Sequence, residues 1–301
     1  MTPKMRSMPT TLIEPAELSR HLGDADWAII DCRFDLARPE WGPHAFAAAH
    51  LPHALYAHLD RDLSAPRTAY SGRHPLPPIE VLAATFGRLG IDERVQVIAY
   101  DQGSGAYAAR LWWLLRWLGH TQVAVLNGGL AAWERAGLPL STESVRRAPR
   151  RFTARPDPRM LASGNEVAAA ALSGALTRGQ QLLVDARNAD RFAGENETID
   201  PVAGHIPGAR NHPFAGNIDA HGRFLEAGQL RRLWENTLRG VSPQRLIAMC
   251  GSGVTACHNL LALEVAGLPG ARLYAGSWSE WITDPAHPVA RGVDDQRETA
   301  R

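Results

Sequence analysis

The sequence has little cysteine, almost no net charge and no long apolar run. Three cysteines in 301 residues are an odd, sparse set, unlike a secreted disulfide framework. The 32 basic and 31 acidic residues give a formal net charge of +1, so no global field favours nucleic acid or an anionic membrane as a partner. No segment approaches a membrane span, and the opening MTPKMRSMPTTLIEP has no apolar core of signal-peptide length. We therefore expect a globular, cytoplasmic protein.

Metal-binding patterns are also lacking. There is no CxxC pair and no paired His/Cys spacing, so no metal and no cofactor are predicted. Cys250 and Cys257 would lie about 10 Å apart along one helix, which is too far for a native disulfide. Cys257 and Cys32 are interpreted as core thiols, with a regulatory disulfide as the alternative.

Cys250 stands at a turn that could activate a thiol. Leu246–Met249 is a short apolar run typical of a buried strand, and residues 254–264 have the apolar spacing of a helix. Between them, a Gly-Ser-Gly turn and the first turn of the helix can present unpaired amides as an anion-binding nest. Such a nest favours the thiolate over the thiol. The alternative is an inert cysteine buried at the end of a strand.

The two halves of the chain carry the same features in the same order. Four features recur at an offset of about 150 residues, which predicts a domain duplication. The pairs are DCR (31–33) with DAR (185–187), HLPHA (50–54) with HIPGA (205–209), the strand before Asp101 with the strand before Cys250, and LNGGLAAW (126–133) with GSWSEW (276–281). Only the second copy has a cysteine at the turn, because Asp101 occupies that position in the first.

Alternation of strands and helices in each copy predicts the fold class. We expect two tandem α/β domains, each a parallel sheet flanked by helices on both faces, with ligands at the carboxyl ends of the strands. Residues 141–158 are polar, basic and without apolar periodicity, which is typical of a linker. The predicted domains are therefore 1–140, which lacks a cysteine at the turn, and 159–301, which has Cys250 there. The arginines of the linker could form a nucleic-acid patch, but no aromatic platform beyond Phe152 accompanies them, which favours a solvated connector.

These motifs, above all CGSGVTA at residues 250–256, give the chain a family resemblance. Over essentially its whole length it resembles the two-domain rhodanese-like sulfurtransferases. The resemblance implies an enzyme whose second domain carries the reaction. It implies that the Cys250 thiolate takes a sulfane sulfur from a small anionic donor, becomes a persulfide, and passes the sulfur to a thiophilic acceptor. Cyanide, a thiol or a thioredoxin-like protein would be such an acceptor.

The loop that follows Cys250 bears on the donor. It contains no Lys or Arg, whereas family members specialised for thiosulfate typically have basic residues there; this form is similar to the 3-mercaptopyruvate type. Its backbone amides are expected to hold the negative charge of donor and persulfide. The residues assigned to this binding role are Gly251, Gly253, Val254 and Thr255. Thiosulfate remains the alternative donor.

The resemblance also implies a relay. In the 3-mercaptopyruvate type, a serine two residues after the cysteine is linked to a histidine and an aspartate of the first domain. The matching positions are Ser252, His74 and Asp60, and Asp62 is the competitor for the last of these. A surface loop histidine is the alternative interpretation of His74.

Two positions govern how the donor is anchored. Arg191 matches an arginine that holds the donor's anionic end, for which a guanidinium fork is suited; a surface salt bridge is the alternative. The 3-mercaptopyruvate type usually adds a second arginine, and Asp200 stands at that position here. A carboxylate there is expected to weaken anion binding. Arg187 and Asp185 directly follow a strand and are interpreted as a structural ion pair.

Three other classes of function compete. A phosphatase of related fold needs an arginine six residues after the cysteine, and Ala256 stands there. A dinucleotide-binding fingerprint would need a ribose-binding acidic residue at about the position where Arg272 stands. A persulfide carrier that docks a protein partner shares the same cysteine loop, and only turnover with a small donor separates it from an enzyme.

Overall fold

The computed structural model describes residues 8–292, which form two compact units. The first unit comprises residues 8–65, Leu76–Pro158 and Ile218–Leu225, and the second comprises Pro66–Pro75, Arg159–Asn217 and residues 226–292. Two short segments are thus exchanged relative to chain order, which linear domain boundaries do not describe. Residues 1–7, which begin the segment considered above for a leader, lie outside the described range.

A five-stranded parallel sheet forms the centre of the first unit. Its strands and helices, in chain order, are β1 (Leu12–Ile13), α1 (Pro15–Leu18), β2 (Trp27–Asp31), α2 (Trp41–Ala48), β3 (Leu55–Tyr56), α3 (Ile79–Arg88), β4 (Gln96–Tyr100), α4 (Ala108–Trp117), β5 (Val123–Leu126) and α5 (Gly129–Arg135). The strand order is β1-β5-β4-β2-β3. Strands β2 and β4 are buried at every position, because helices cover both faces of a parallel sheet.

A four-stranded parallel sheet forms the centre of the second unit. Its elements are α6 (Gly164–Leu172), β6 (Leu182–Asp185), α7 (Ala189–Ala193), β7 (Arg210–Asn211), α8 (Ala227–Leu238), β8 (Leu246–Met249), α9 (Thr255–Val265), β9 (Arg272–Leu273) and α10 (Ser277–Trp281). The strand order is β7-β6-β8-β9, and an isolated parallel bridge from Leu161 to Leu273 extends the sheet beyond β9.

The two sheets have the same strand order. Reading the second sheet from the bridge at Leu161 through β9, β8 and β6 to β7 reproduces β1-β5-β4-β2-β3 of the first, and β4 and β8 occupy equivalent central positions. The predicted fold class, two tandem α/β domains with parallel sheets flanked by helices, is confirmed.

The segment predicted as a linker packs along the first unit. The amide of Arg150 donates to the carbonyl of Gly87 at 2.9 Å, and the ring of Phe152 is buried at 5.3 Å from that of Phe86. Arg147 donates to two backbone carbonyls near the start of β2, and Arg150 pairs with Asp92. These two arginines are therefore engaged within the unit.

Asp101 follows β4 and fills the turn that corresponds to the cysteine turn. Its carboxylate accepts hydrogen bonds from the amides of Gly103, Gly105, Tyr107 and Ala108 at 2.9 to 3.3 Å, and it is completely buried. The turn is thus an anion-binding nest that is occupied by the chain's own carboxylate.

Replacing Asp101 is expected to destabilise the first unit. In Asp101→Ala four amides lose their acceptor, which should lower the free energy of unfolding by about 2 kcal/mol. Asp101→Asn keeps one oxygen and should lose less. Urea unfolding followed by circular dichroism measures both; an unchanged midpoint in Asp101→Ala would show that water replaces the carboxylate without loss.

Residues 8–292 contain neither a membrane-spanning helix nor a cluster of metal ligands. Between residues 8 and 292, no helix combines the length and the apolar character that crossing a bilayer requires. Within the same range, no group of three or more His, Cys, Asp or Glu side chains is arranged to hold a metal ion.

Candidate active site

Cys250 lies directly after β8, at the turn into α9. Its Sγ accepts hydrogen bonds from the amides of Gly253 at 3.2 Å and Ser252 at 3.5 Å, and the residue is 2% exposed. The helix begins at Thr255, so its first amides face the same turn. The strand, turn and helix predicted around this cysteine are all present.

The GSWSEW motif (276–281) stabilises the cysteine turn through hydrogen bonds. The Oγ of Ser277 accepts the Cys250 amide at 3.1 Å, and the carbonyls of Cys250 and Gly251 accept amides from α10. Gly253 has a φ of +77°, and a Cβ there would lie 2.3 Å from the carbonyl oxygen of Ala275. Only glycine fits this close approach. Ser277 was not singled out in the sequence, although it lies within a repeated motif.

Ser252 and His74 meet beside the cysteine. The Oγ of Ser252 and the Nδ1 of His74 are 2.7 Å apart, and both residues are about 95% buried. His74 belongs to Pro66–Pro75, the segment that lies in the second unit. The family resemblance thus implied a pair of residues that are 178 positions apart in the chain, and these two side chains lie in contact.

The aspartates proposed for the relay belong to the first unit. The amide of Asp60 donates to Nδ1 of His58 at 3.1 Å. Asp62 accepts from Arg88 at 2.6 Å and from the amide of His58 at 2.9 Å. Asp62 is thus held by partners within its own unit, while the pairing of either aspartate with His74 stays a prediction.

Arg191 lies beside the cysteine loop and is held by two carboxylates. Its Nε and Nη2 both contact the carboxylate of Glu197 at 2.9 to 3.1 Å, and Nη2 also donates to Asp200 at 3.1 Å. A Cβ on Gly251 would lie 3.7 Å from Nη2 of Arg191. With only 16% of its side chain exposed, this is not the surface salt bridge considered as the alternative. Glu197 was missed in the sequence.

Asp200 does not lack a cation, because Arg73 pairs with it. Nη1 of Arg73 donates to Asp200 across 127 residues of sequence, and a Cβ on Gly251 would lie 2.7 Å from Nη2 of Arg73. The position therefore has a guanidinium beside it, while the expected weakening of anion binding by the Asp200 carboxylate stays a prediction. The second guanidinium comes from a different segment.

One sequence signal could have found Arg73. The tripeptide Ser71-Gly72-Arg73 recurs as His221-Gly222-Arg223, again about 150 residues later. These tripeptides lie in the two exchanged segments, and Arg223 likewise forms an ion pair, with Glu14 in the first unit.

Burial and ion pairing oppose each other in this cluster. Burial raises the pKa of Asp200, and the charges of Arg73 and Arg191 offset this only in part. Burial alone would raise the pKa of Glu197. The hydrogen bonds from Arg191 and from two amides outweigh this effect and hold the pKa below its ordinary value. Burial lowers the pKa of Arg73, against the charges of Asp200 and Cys250. The negative charge of Glu197 is therefore more strongly favoured than that of Asp200.

The remaining predicted features are structural. Arg187 pairs with Asp185 at 2.7 Å, both side chains are at least 99% buried, and the guanidinium stacks 4.8 Å from the ring centre of Trp278. The structural ion pair is confirmed. Cys32 and Cys257 are buried and form no disulfide within residues 8–292, and the Sγ of Cys257 donates to the carbonyl of Gly253 at 3.3 Å.

Comparisons with known proteins agree on one family. The rhodanese-like domain matches residues 14–136 and 168–284. The chain is 48% identical over 283 residues to a probable 3-mercaptopyruvate sulfurtransferase of Pseudomonas aeruginosa, covering 93% of this chain and 98% of that protein. It is 39% identical over 291 residues to a putative thiosulfate sulfurtransferase of Mycobacterium tuberculosis, covering 96% and 100%. The crystal structure of the 3-mercaptopyruvate sulfotransferase SseA from Escherichia coli aligns with a TM-score of 0.77 at 32% identity, covering 90% of this chain and 100% of that chain.

The fold, the duplicated domain and the cysteine turn thus define one class of protein. The chain belongs to the rhodanese-like family, with one such domain in each half. It is an enzyme, a sulfurtransferase. The predicted family, fold class and enzyme class are confirmed.

Proposed function

We propose that this sulfurtransferase moves a sulfane sulfur from a small anionic donor to a thiophilic acceptor through a persulfide on Cys250. The donor that we favour is 3-mercaptopyruvate. The observation that carries the proposal is the position of the Cys250 Sγ, which accepts two backbone amides inside a turn closed by a helix N-terminus. Such a turn favours negative charge on sulfur, which both a thiolate and a persulfide carry.

The equivalent turn in the first unit supports a position for the outer sulfur of the persulfide. In the first unit, the Asp101 carboxylate is bonded by amides two, four, six and seven residues further along. The equivalent amides after the cysteine belong to Ser252, Val254, Ala256 and Cys257. The cysteine sulfur uses the nearest of these, while the outer sulfur of a persulfide extends toward the others as the carboxylate oxygens do.

The first half-reaction breaks one bond and forms one. The Cys250 thiolate attacks the donor sulfur and forms the S–S bond, while the C–S bond of 3-mercaptopyruvate breaks. The electron pair of that bond passes to the leaving fragment as pyruvate enolate, which takes up a proton. In the second half-reaction, cyanide or a thiolate attacks the outer sulfur and Cys250 leaves as thiolate.

Ser252 and His74 supply the proton in this proposal. When Nδ1 of His74 carries the proton, it donates to Ser252 across 2.7 Å, and the serine hydroxyl is then directed to the donor's carbonyl oxygen. Enolate charge develops at that oxygen as the C–S bond breaks. When thiosulfate is the donor, the leaving group is sulfite, which needs no such proton. The Ser252–His74 pair therefore favours 3-mercaptopyruvate.

Removing the serine hydroxyl is expected to separate the two donors. Ser252→Ala should lower kcat/KM for 3-mercaptopyruvate by about 10- to 100-fold and change that for thiosulfate by less than about threefold. Steady-state release of pyruvate, sulfite and thiocyanate measures both donors with cyanide as acceptor. Ser252→Thr keeps the hydroxyl and serves as the control. An equal loss with both donors would contradict the relay.

The aspartate of the relay can be identified in the same assay. Asp60→Asn is expected to reproduce the donor selectivity of Ser252→Ala in weaker form. Asp62→Asn is the matched control, because Asp62 is engaged by Arg88 and the amide of His58. The reverse result would assign the relay to Asp62.

Two alternatives remain within the proposal. Thiosulfate is the donor named for the Mycobacterium tuberculosis relative, and the donor comparison above decides between it and 3-mercaptopyruvate. The second alternative is a persulfide carrier, which would load sulfur but show no turnover until its protein partner is added. A thioredoxin-like acceptor and a cytoplasmic location stay predictions.

A further inference from the structure

Two guanidinium groups lie over Gly251, and their hydrogen-bonding edges are used differently. The Nε and Nη2 of Arg191 form one edge, and Glu197 occupies both. Within residues 8–292, no carboxylate is bonded to the same edge of Arg73. Its Nη1 donates to Asp200, whereas its Nε is buried and has no hydrogen-bond partner among the described residues.

A buried donor without a partner destabilises the folded state, so its presence in an active site points to a ligand. The Nε and Nη2 of arginine are parallel donors whose spacing matches the two oxygens of a carboxylate. On Arg73, Nη2 is the atom nearest to a Cβ on Gly251, at 2.7 Å, next to the proposed nucleophile. The unoccupied edge therefore lies where a small acid reaching Cys250 would place its carboxylate.

We propose that Arg73 is the principal anchor for the donor's anionic end, and that Asp200 makes the site prefer a singly charged donor. The proposal rests on the proposed function, since it assumes that the donor reacts at Cys250. It assigns to Arg73 the role that the sequence assigned to Arg191, and leaves Arg191 as a second positive charge that Glu197 fixes in place.

Charge balance explains the role of Asp200. Arg73, Arg191 and Arg187 are matched by Glu197, Asp200 and Asp185. A carboxylate donor adds one negative charge to this neutral cluster, and thiosulfate adds two. Because Asp200 is buried between Arg73 and Arg191, it repels the second charge at short range and with little screening.

The anchor is tested by comparing the two arginines. Arg73→Gln, which keeps polarity but removes the charge and the fork, should raise KM for 3-mercaptopyruvate by about 30-fold and change kcat by less than about threefold. Arg73→Lys should raise KM by about tenfold, because the charge alone lacks the paired donors. Arg191→Gln should raise KM less than Arg73→Gln. A larger KM effect at Arg191, or none at Arg73, would overturn the assignment.

The acceptor step provides the internal control for folding. Each variant is loaded at saturating donor, separated from it, and mixed with cyanide, and thiocyanate release is timed. Arg73→Gln should release thiocyanate at the wild-type rate, since the anchor acts only on the donor. A slowed release would show that the substitution disturbs the loop itself and would count against a donor-specific role.

Asp200→Asn tests the charge preference. It should raise the ratio of kcat/KM for thiosulfate to that for 3-mercaptopyruvate about tenfold, because one repelling charge is removed. An unchanged ratio would refute the role of Asp200. If Cys250→Ser retains turnover, the proposed function itself fails; if Cys250→Ser is inactive and the Arg73 and Asp200 variants behave as wild type, only this inference fails.

Discussion

Cys250→Ser is expected to lose sulfur transfer with either donor, by at least about a thousandfold in kcat/KM. A serine hydroxyl is not ionised at neutral pH and cannot form a persulfide. Its smaller oxygen still fits the turn, where two amides surround the sulfur, so the loss is chemical and not structural. Steady-state turnover and the intact mass after donor treatment measure it. The wild-type chain should gain the mass of one sulfur atom and the variant none.

Cys257→Ser is the matched control for this experiment. Its thiol donates to the carbonyl of Gly253, and a serine hydroxyl can keep that bond. This variant should retain the mass gain and most of the activity. A sulfur carried on Cys257 in place of Cys250, or turnover by Cys250→Ser, would contradict the mechanism.

Arg33→Met is expected to lower the free energy of unfolding by about 4 kcal/mol, a larger loss than for Asp101→Ala. Arg33 and Asp31 form a buried pair at 2.7 Å, with side chains 5% and 0% exposed, and Arg33 also donates to the carbonyl of Ala49. Methionine fills much of the same space, but it leaves the carboxylate of Asp31 buried without its cation. Urea unfolding measures the change. Arg38→Met is the control, because Arg38 pairs with Asp35 at an exposed site and its loss should leave the midpoint unchanged.

The stability of Arg33→Met should also depend on pH in a defined direction. Burial raises the pKa of Asp31 in the folded protein, and Arg33 is the main group that lowers it again. Without Arg33 that pKa rises further above its value in the unfolded chain. Between the pKa of Asp31 in the unfolded chain and its higher pKa in the folded variant, the folded state binds more protons than the unfolded state. The stability of the variant should therefore fall as the pH rises through this range.

A second substitution should partly restore the Arg33 variant. Asp31→Asn combined with Arg33→Met removes the uncompensated charge, so the double variant should be more stable than Arg33→Met near neutral pH. If the two losses simply add, the ion pair is not the source of the effect.

Local patterns in the sequence predicted the core of the site. The apolar run Leu246–Met249 is a strand with these bounds, and the glycine-rich turn leads into a helix that begins at Thr255, one residue later than expected. These features depend on neighbouring residues, so periodicity and turn chemistry suffice to find them. The pairing of His74 with Ser252 came from the family resemblance and not from local pattern.

Long-range ion pairing could not be predicted in the same way. Asp200, taken alone, indicated a lost cation, because nothing near it in sequence supplies another. Its partner Arg73 is 127 residues away on a segment that belongs to the other half of the chain. Charges buried in pairs can be interpreted only when both partners are known, and the repeated Gly-Arg of residues 72–73 and 222–223 was the single clue in the sequence.

The structural unit that contains Cys250 is not encoded by one continuous half of the chain, because Pro66–Pro75 belongs to the second unit and Ile218–Leu225 to the first. A chain cut at the linker would keep Cys250, its amides and Arg191 on one fragment. His74 and Arg73 would remain on the other fragment, with the ten residues of Pro66–Pro75. If they have the roles proposed above, the fragment that carries Cys250 should still hold sulfur but accept it poorly from the donor.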